Sequence, residues 1–213
     1  MNNIIGFIIS VIYILFVLLI SKLLENKGEE ISRKFIHIAL CNIWFIFAYF
    51  FDSLICAVIL PTFFVFFNAL SYKYKIVKSM ERKENDGFGT VYYAISIVAI
   101  VIITYSVGNP WIGLSGMLIM GYGDGLAAII GQKIKSKEFK VGNTKKSIAG
   151  SLTMFIISMF ILLIILNMLN VQYFIIKAIV IALISTILEF ISIKGLDNIT
   201  VPVIVTLLTV LAI

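Results

Sequence analysis

The sequence has few charged residues and almost no cysteine, and both shortages exclude classes of protein. Only 13% of its 213 residues are charged, whereas 61% are hydrophobic, which is not the composition of a soluble globular domain. The two cysteines, Cys41 and Cys56, lie in apolar stretches. Their positions match neither a metal-binding spacing nor a disulfide framework, so we expect small packed side chains.

Long hydrophobic stretches occupy most of the chain instead. A membrane-spanning helix needs about 20 mostly apolar residues. The sequence therefore predicts an all-α polytopic membrane protein with about seven or eight transmembrane helices, in a single domain over residues 1–213. We expect the first helix to be retained, not cleaved as a signal, and the last to be short and to begin as early as Gly195. The predicted spans are Ile4–Leu24, Phe35–Phe51, Ser53–Leu70, Thr90–Val107, Trp111–Lys133, Ile148–Leu166, Tyr173–Ile193 and Ile199–Ile213.

Basic residues are unevenly distributed along the chain, whose net charge is +6. With eight spans, the loops after the first, third, fifth and seventh contain every lysine and arginine except Lys177. The positive-inside rule then predicts that these loops lie in the cytoplasm and both termini outside. We expect a protein of the cell membrane with its chemistry on the cytoplasmic face, in contact with membrane lipids and with no nucleic-acid partner.

The first polar group begins the second predicted span. Glu30, Arg33, Lys34 and His37 are spaced three and four residues apart and so lie on one helical face. The two basic residues could anchor the helix at the bilayer edge or bind phosphate. His37, the only histidine, could be a simple hydrogen-bonding residue, a phosphate ligand or a proton shuttle.

The second group surrounds an acidic residue inside an apolar stretch. Asp124 lies in Gly-Tyr-Gly-Asp-Gly, and a carboxylate within a membrane segment is costly and usually functional. The Asp124 carboxylate could form a structural ion pair, or it could bind Mg²⁺ and a nucleotide. The neighbouring glycines, Gly123, Gly125 and Gly131, would allow a ligand or backbone to approach closely.

The third group is a basic loop that leads into the sixth predicted span. Lys145, Lys146 and Ser147 precede Gly150, and we expect the helix to begin near Ser147. Lysines, a hydroxyl and helix-end amides there would converge on phosphate. The alternative is a positively charged flank with a serine cap. The G-x-x-x-x-G-K-[ST] spacing of a Walker A loop is absent.

The fourth group combines Glu189 with Asp197 and Asn198, close to Pro202. Asp197 and Asn198 could simply cap a helix. Alternatively, the two acids could join Asp124 around a metal ion. Asn68 and Arg82 are weaker candidates.

These four groups, in this order, resemble the polyprenol kinase family, which includes dolichol kinases, phytol kinases and CTP-dependent diacylglycerol kinases and is related in motif to the phosphatidate cytidylyltransferases. The similarity covers about residues 30–202. Its matching pieces are ExxRKxxH at Glu30–His37, GDGxAxxxG at Gly123–Gly131, KKSIAGS at Lys145–Ser151 and GLDNITVP at Gly195–Pro202. The KSxAGS form is most similar to the phytol kinase branch. Ala149 and Ala128 stand where other branches more often have an acid.

The resemblance implies phosphoryl transfer from CTP, assisted by Mg²⁺, to the hydroxyl of a long-chain lipid alcohol. It implies catalytic roles for Asp124, Lys146 and Asp197, and metal ligation by Asp124, Glu189 and Asp197. Nucleotide or phosphate binding is expected from a larger set. That set is Arg33, Lys34, His37, Gly123, Gly125, Gly131, Lys145, Ser147, Gly150 and Asn198.

Three other functions fit parts of the pattern. A cytidylyltransferase would use similar groups but release pyrophosphate and a CDP-lipid. A small transporter could use an acid in a glycine-interrupted span, although the sequence shows no paired repeats. A non-catalytic scaffold would tolerate replacement of Asp124 or Lys146.

Overall fold

The computed structural model describes residues 2–74, 76, 88–142 and 144–213. Two of the candidates above, Arg82 and the side chain of Glu30, lie outside this description. The chain forms helices almost throughout, as expected from its apolar composition. The α-helices are α1 (Asn2–Leu24), α2 (Glu29–Leu40), α3 (Ile43–Phe50), α4 (Leu54–Tyr74), α5 (Gly89–Ser106), α6 (Gly113–Leu118), α7 (Gly125–Lys133), α8 (Ile148–Met168), α9 (Phe174–Ile191) and α10 (Asp197–Ala212).

Seven helical segments within the described residues are long and apolar enough to cross a membrane. Helices α2 and α3 join into one of them, Ile31–Phe50, and the segment Pro110–Lys133 contains both α6 and α7. Helix α10 is apolar but has only 16 residues, and it begins at Asp197, close to the early start expected near Gly195. The prediction of an all-α membrane protein with seven or eight such helices is confirmed.

The segment Pro110–Lys133 lies at the centre of the bundle. In an 18-residue apolar stretch of this segment, 67% of the residues are buried, against 28–44% in the corresponding stretches of the other six segments. Glycines allow neighbours to approach it closely. A β-carbon on Gly113 would collide with the Trp44 ring, and one on Gly116 with the carbonyl of Pro202. This central position brings the acidic residue of the segment into contact with several helices.

Large apolar side chains fill the interior and also cover the outer surface. Trp44, Phe47 and Met117 belong to one buried cluster, whereas Met154 and Leu162 belong to a second. The Trp44 indole also donates a hydrogen bond of 2.8 Å to the Pro110 carbonyl. Many exposed side chains are equally apolar, and such a continuous apolar exterior is expected of a surface covered by lipid. The protein is an integral membrane protein.

A short β-hairpin interrupts the helices where the sequence predicted only a basic loop. Strand β1 (Glu138–Val141) pairs antiparallel with β2 (Thr144–Ser147), and Phe139 lies opposite Lys146. Gly142 in the turn has a φ of +58°, a left-handed conformation that glycine adopts readily. Because side chains alternate along a strand, the two adjacent lysines of β2 differ: Lys145 is 78% exposed and Lys146 only 15%.

The described residues that flank the basic segments meet at one end of the bundle. There the Asn198 amide donates a 3.2 Å hydrogen bond to the Gly89 carbonyl, and Lys146 of the hairpin pairs with Glu189 of α9. At the opposite end Asn3 bonds to Asp52, and Lys177 donates to the Ala212 carbonyl. Among the described residues, the end of α9 and the starts of α5 and α10 therefore reach the end of the bundle that the hairpin occupies.

Candidate active site

Three carboxylates from distant parts of the sequence converge at the basic end. One carboxylate oxygen from each of Asp124, Glu189 and Asp197 lies within 4.8 Å of the others. Asp124 lies between α6 and α7 in the central segment Pro110–Lys133. Glu189 lies near the end of α9, and Asp197 is the first residue of α10. The predicted acidic cluster therefore exists in the folded chain.

Asp124 is presented by an unusual turn of helix. Residues Ile119–Asp124 form a π-helix between α6 and α7, and such π-turns occur frequently at functional sites. Close packing surrounds the turn, because a β-carbon on Gly121 would collide with the side chain of Cys41 and one on Gly123 would lie 2.7 Å from the Met154 sulfur. The glycines thus allow the π-turn, and the carboxylate that ends it, to lie deep between helices.

Two groups from α2 contact the Asp124 carboxylate. The Lys34 ammonium lies 3.8 Å from Asp124 Oδ2, and the His37 Nε2 atom lies 3.3 Å from the same oxygen. His37 Nε2 is also 3.1 Å from the Met120 carbonyl oxygen. Because both neighbours are hydrogen-bond acceptors, we assign a proton to Nε2. Two residues of the predicted helical face of α2, Lys34 and His37, therefore point at the acidic residue.

Lys146 lies between the other two acids. Its ammonium forms an ion pair with Glu189 and lies 3.9 Å from Asp197 Oδ2. The Glu189 side chain is only 7% exposed, so this pair is largely removed from water. Together with Lys34, two lysines therefore face three carboxylates. Because the carboxylates outnumber the lysines, the cluster suits a further cation or another ligand.

These groups line a cavity of about 480 Å³, called here the polar cavity. Its wall contains most of the predicted site residues together with Ser192, Gln132 and Glu138. The predicted residues on the wall are Arg33, Lys34, Asp124, Gly131, Lys145, Lys146, Ser147, Gly150, Glu189 and Asp197.

Comparison with known proteins identifies the family of this chain. No protein-family model and no solved structure matches it. The chain is, however, 32% identical over 182 residues to the phytol kinase of Synechocystis sp., an alignment that covers 84% of this chain and 78% of the relative. The chain belongs to the polyprenol kinase family. This membership confirms the expected enzyme class, a lipid-alcohol kinase.

Four predicted site residues of this polyprenol kinase family member lie outside the wall of the polar cavity. Gly123 packs against Met154, and a β-carbon on Gly125 would lie 2.5 Å from Ile38 Cγ1. The two glycines are therefore in helix-packing positions, which motif spacing could not distinguish from contact with phosphate. His37 and Asn198 instead line a second cavity.

The start of α8 is built as the sequence predicted. Ser147 precedes the helix and its hydroxyl accepts a 3.1 Å hydrogen bond from the Gly150 amide. The same hydroxyl lies 3.3 Å from the Gly131 carbonyl, to which it donates. A β-carbon on Gly131 would approach Ser147 Oγ to 2.6 Å, so glycine lets α7 approach the start of α8. The positive end of the α8 dipole consequently faces the polar cavity.

Sequence reasoning missed several residues on this wall. Ser192 lies one helical turn after Glu189, a spacing that could have revealed it. Gln132 lies near the end of α7 and Glu138 begins β1, and neither belongs to one of the recognised motifs. The Ser151 hydroxyl is buried with no hydrogen-bond partner among the described residues, although the motif that contains it was recognised.

The second cavity, called here the apolar cavity, has a volume of about 120 Å³ and lies beside the first. Arg33 lines both cavities, and His37 lines the apolar one while it contacts Asp124 on the wall of the other. Its walls come from α1 to α5 and the start of α10. The full lining is Ile14, Leu18, Arg33, Ile36, His37, Leu40, Ile43, Phe47, Leu60, Pro61, Phe64, Phe67, Asn68, Tyr72, Gly89, Thr90, Tyr93, Ala94, Ile97 and Asn198.

Proposed function

We propose that the protein transfers the terminal phosphoryl group of a nucleoside triphosphate, CTP, to the hydroxyl of a long-chain lipid alcohol, with assistance from Mg²⁺. The observation that carries this proposal is the polar cavity, where three carboxylates and two lysines meet at one end of a membrane bundle. Similarity to a phytol kinase supports the same reaction. By the positive-inside rule, we expect this end to lie in the cytoplasm, where nucleotides are available, and both termini to lie outside.

The polar cavity suits a nucleotide. Its volume of about 480 Å³ lies within the roughly 300–1,000 Å³ typical of small-molecule sites. Lys34, Lys146 and Arg33 would offset the charge of the triphosphate. The amides that begin α8 would add hydrogen-bond donors.

The acidic cluster fits a bound magnesium ion by the chemistry of its donors. Carboxylate oxygens and phosphates are the ligands that Mg²⁺ prefers, and Asp124, Glu189 and Asp197 would hold it. When bound, the ion would neutralise charge on the phosphates. Lys146, which pairs with Glu189, would turn towards the phosphates, so that the carboxylate oxygens become available.

The chemical step follows from the position of Asp124. The alcohol oxygen forms a bond to the terminal phosphorus, the bond from that phosphorus to the bridging oxygen breaks, and a nucleoside diphosphate leaves. We assign the hydroxyl proton to Asp124, because this carboxylate contacts His37, which lines the apolar cavity. Such transfer depends mainly on positioning and charge stabilisation.

The test is an assay of the purified protein in detergent with Mg²⁺ and γ-labelled CTP or ATP, against a panel of prenols and diacylglycerol. We expect label in a lipid monophosphate, with CTP the better donor. Pyrophosphate release with a lipid phosphate as substrate would instead indicate a cytidylyltransferase. Absence of both products from folded protein would reject the proposed function.

A further inference from the structure

The apolar cavity has the shape of a site for one long chain. From Arg33 to Phe47 its lining follows the axis of α2 and α3 for about 21 Å, more than half of the ~30 Å hydrocarbon thickness of a bilayer. Helices α4 and α5 form the facing wall, with Leu60 and Ile97 among their lining residues. Several wall residues, such as Phe64, are only half-buried, so the cavity reaches the apolar surface of the bundle.

Polar groups are concentrated at one end of this cavity. Asn68, Tyr72 and Asn198 lie there with Arg33 and His37, at the basic end of the protein. The deeper lining, towards Phe47, is apolar. A ligand with one polar group at the end of a hydrocarbon tail would match this distribution.

Two polar atoms on the wall lack partners. Tyr93 and Asn68 are 8% and 6% exposed, and neither the Tyr93 hydroxyl nor Asn68 Oδ1 has a hydrogen-bond partner among the described residues. The Asn68 amide nitrogen is used, since it donates to the Thr90 carbonyl at 3.0 Å. A buried polar atom without a partner is costly and calls for an explanation, and a ligand hydroxyl would satisfy both atoms.

Tyr93 lies close to the residues of the proposed reaction, at the polar end of the apolar cavity. Its ring packs edge-on against His37, with ring centroids 5.4 Å apart. His37 in turn contacts the Asp124 carboxylate at 3.3 Å. A hydroxyl held beside Tyr93 would therefore lie next to the residue that separates the two cavities.

From these observations, and resting on the proposed function, we propose that the apolar cavity binds the acceptor lipid alcohol as a single extended chain. The hydroxyl lies beside Tyr93 and Asn68 with the tail directed towards Phe47 and Leu60. Tyr93 and Asn68 act as positioning residues for the hydroxyl. The side chain of Ile97 limits the length of tail that the cavity accepts.

The proposed position of the lipid tail is tested with the variant Ile97→Trp, whose larger side chain fills the cavity. The variant Ile102→Trp is its control. Ile102 lies on the same helix but is 47% exposed on the outer surface. We expect Ile97→Trp to lower kcat/KM for geranylgeraniol about tenfold or more while geraniol and the nucleotide are affected little. Ile102→Trp should behave as wild type. An unchanged chain-length profile in Ile97→Trp would overturn the assignment of the cavity.

The proposed position of the hydroxyl of the lipid alcohol is tested with the variant Tyr93→Phe. Since the Tyr93 hydroxyl has no hydrogen-bond partner among the described residues, its removal should leave thermal stability unchanged or raised. We expect kcat/KM for the alcohol to fall about tenfold with an unchanged KM for the nucleotide. Wild-type turnover in this variant would overturn the placement of the hydroxyl.

A measurement independent of turnover separates this inference from the proposed function. A geranylgeraniol analogue with a diazirine at the end of its tail should crosslink to the deep wall near Phe47 or Leu60, and unlabelled alcohol should compete. Crosslinks confined to the outer surface would overturn the inference even if the enzyme is active. Lack of phosphoryl transfer to any alcohol would instead reject the proposed function, while specific crosslinks would still establish the cavity as a lipid site.

Discussion

His37 Nε2 lies 3.3 Å from the Asp124 carboxylate, and this contact joins two cavities of opposite character. Asp124 lines the polar cavity with the other acids, whereas His37 lines the apolar cavity. A water-soluble phosphate donor and a lipid acceptor must meet in any lipid kinase. In this protein the contact lies where the two cavities adjoin, and Arg33 lines both of them.

Replacement of Asp124 by asparagine should abolish transfer. The variant loses the proposed proton acceptor and one metal ligand, so we expect the rate to fall about 100-fold or more. Asp52→Asn is the matched control, because Asp52 is exposed at the opposite end of the bundle and bonds to Asn3. Product formation is measured with labelled CTP, and thermal unfolding confirms that both variants fold. Retained turnover in Asp124→Asn would reject the role of this residue.

Loss of the Lys146 charge should cost more stability than loss of the Glu189 charge. Lys146→Met leaves two neighbouring carboxylates without their lysine, whereas Glu189→Gln leaves Lys146 within 3.9 Å of Asp197. Breaking a buried pair costs about 3–5 kcal/mol, and Lys146→Met should approach this cost. Thermal unfolding is measured with Lys135→Met, an exposed lysine, as the control.

The double variant Lys146→Met/Glu189→Gln completes this cycle. Because each single change disrupts the same pair, the double variant should lose less stability than the two single losses combined. Additive losses would show that the pair contributes no coupling energy. The ion pair would then be incidental to folding.

Gly125→Ala should destabilise the protein through packing. The added β-carbon would lie 2.5 Å from Ile38 Cγ1 and 2.9 Å from Cδ1, and overpacking of this kind costs about 1–3 kcal/mol. Ile38→Ala removes both of these atoms, so Gly125→Ala should cost less stability in an Ile38→Ala background than in the wild type. Thermal unfolding and turnover are measured together. Restored stability without restored turnover would instead support the phosphate-binding role predicted for Gly125.

Membrane orientation is tested by accessibility of introduced cysteines. In a background with Cys41→Ala and Cys56→Ala, an impermeant maleimide should label Asp52→Cys on intact cells. It should label Lys135→Cys only after permeabilisation, since the positive-inside rule places that loop in the cytoplasm. The reverse pattern would place the polar cavity on the outer face.

Much of the architecture was predictable from local sequence. Hydrophobic stretches of spanning length produce helices wherever they occur, and the distribution of lysines and arginines predicts which loops share one end. The start of α8 was also predictable, because serine before a helix caps its free amides. Motif order then sufficed to predict the family.

The hairpin was not predictable in the same way. Residues 138–147 contain three lysines and no run of β-branched apolar residues, and a short strand pair is stabilised mainly by its contacts with the rest of the fold. Its strand geometry is what makes Lys146 differ from Lys145. The sequence placed both lysines in one motif and could not separate them.

The sequence by itself determined that this chain is a helical membrane protein, that its basic segments lie at one end, and which acids and lysines are available there. Hydropathy and charge are local properties, so they can be read without knowledge of the fold. Only the tertiary structure decided that Lys146 lies between Glu189 and Asp197 and that Gly125 packs on Ile38. It also decided that Tyr93 and Asn68 face a common apolar cavity. These relationships join helices that are distant in sequence, and they depend on how the bundle packs around its central segment.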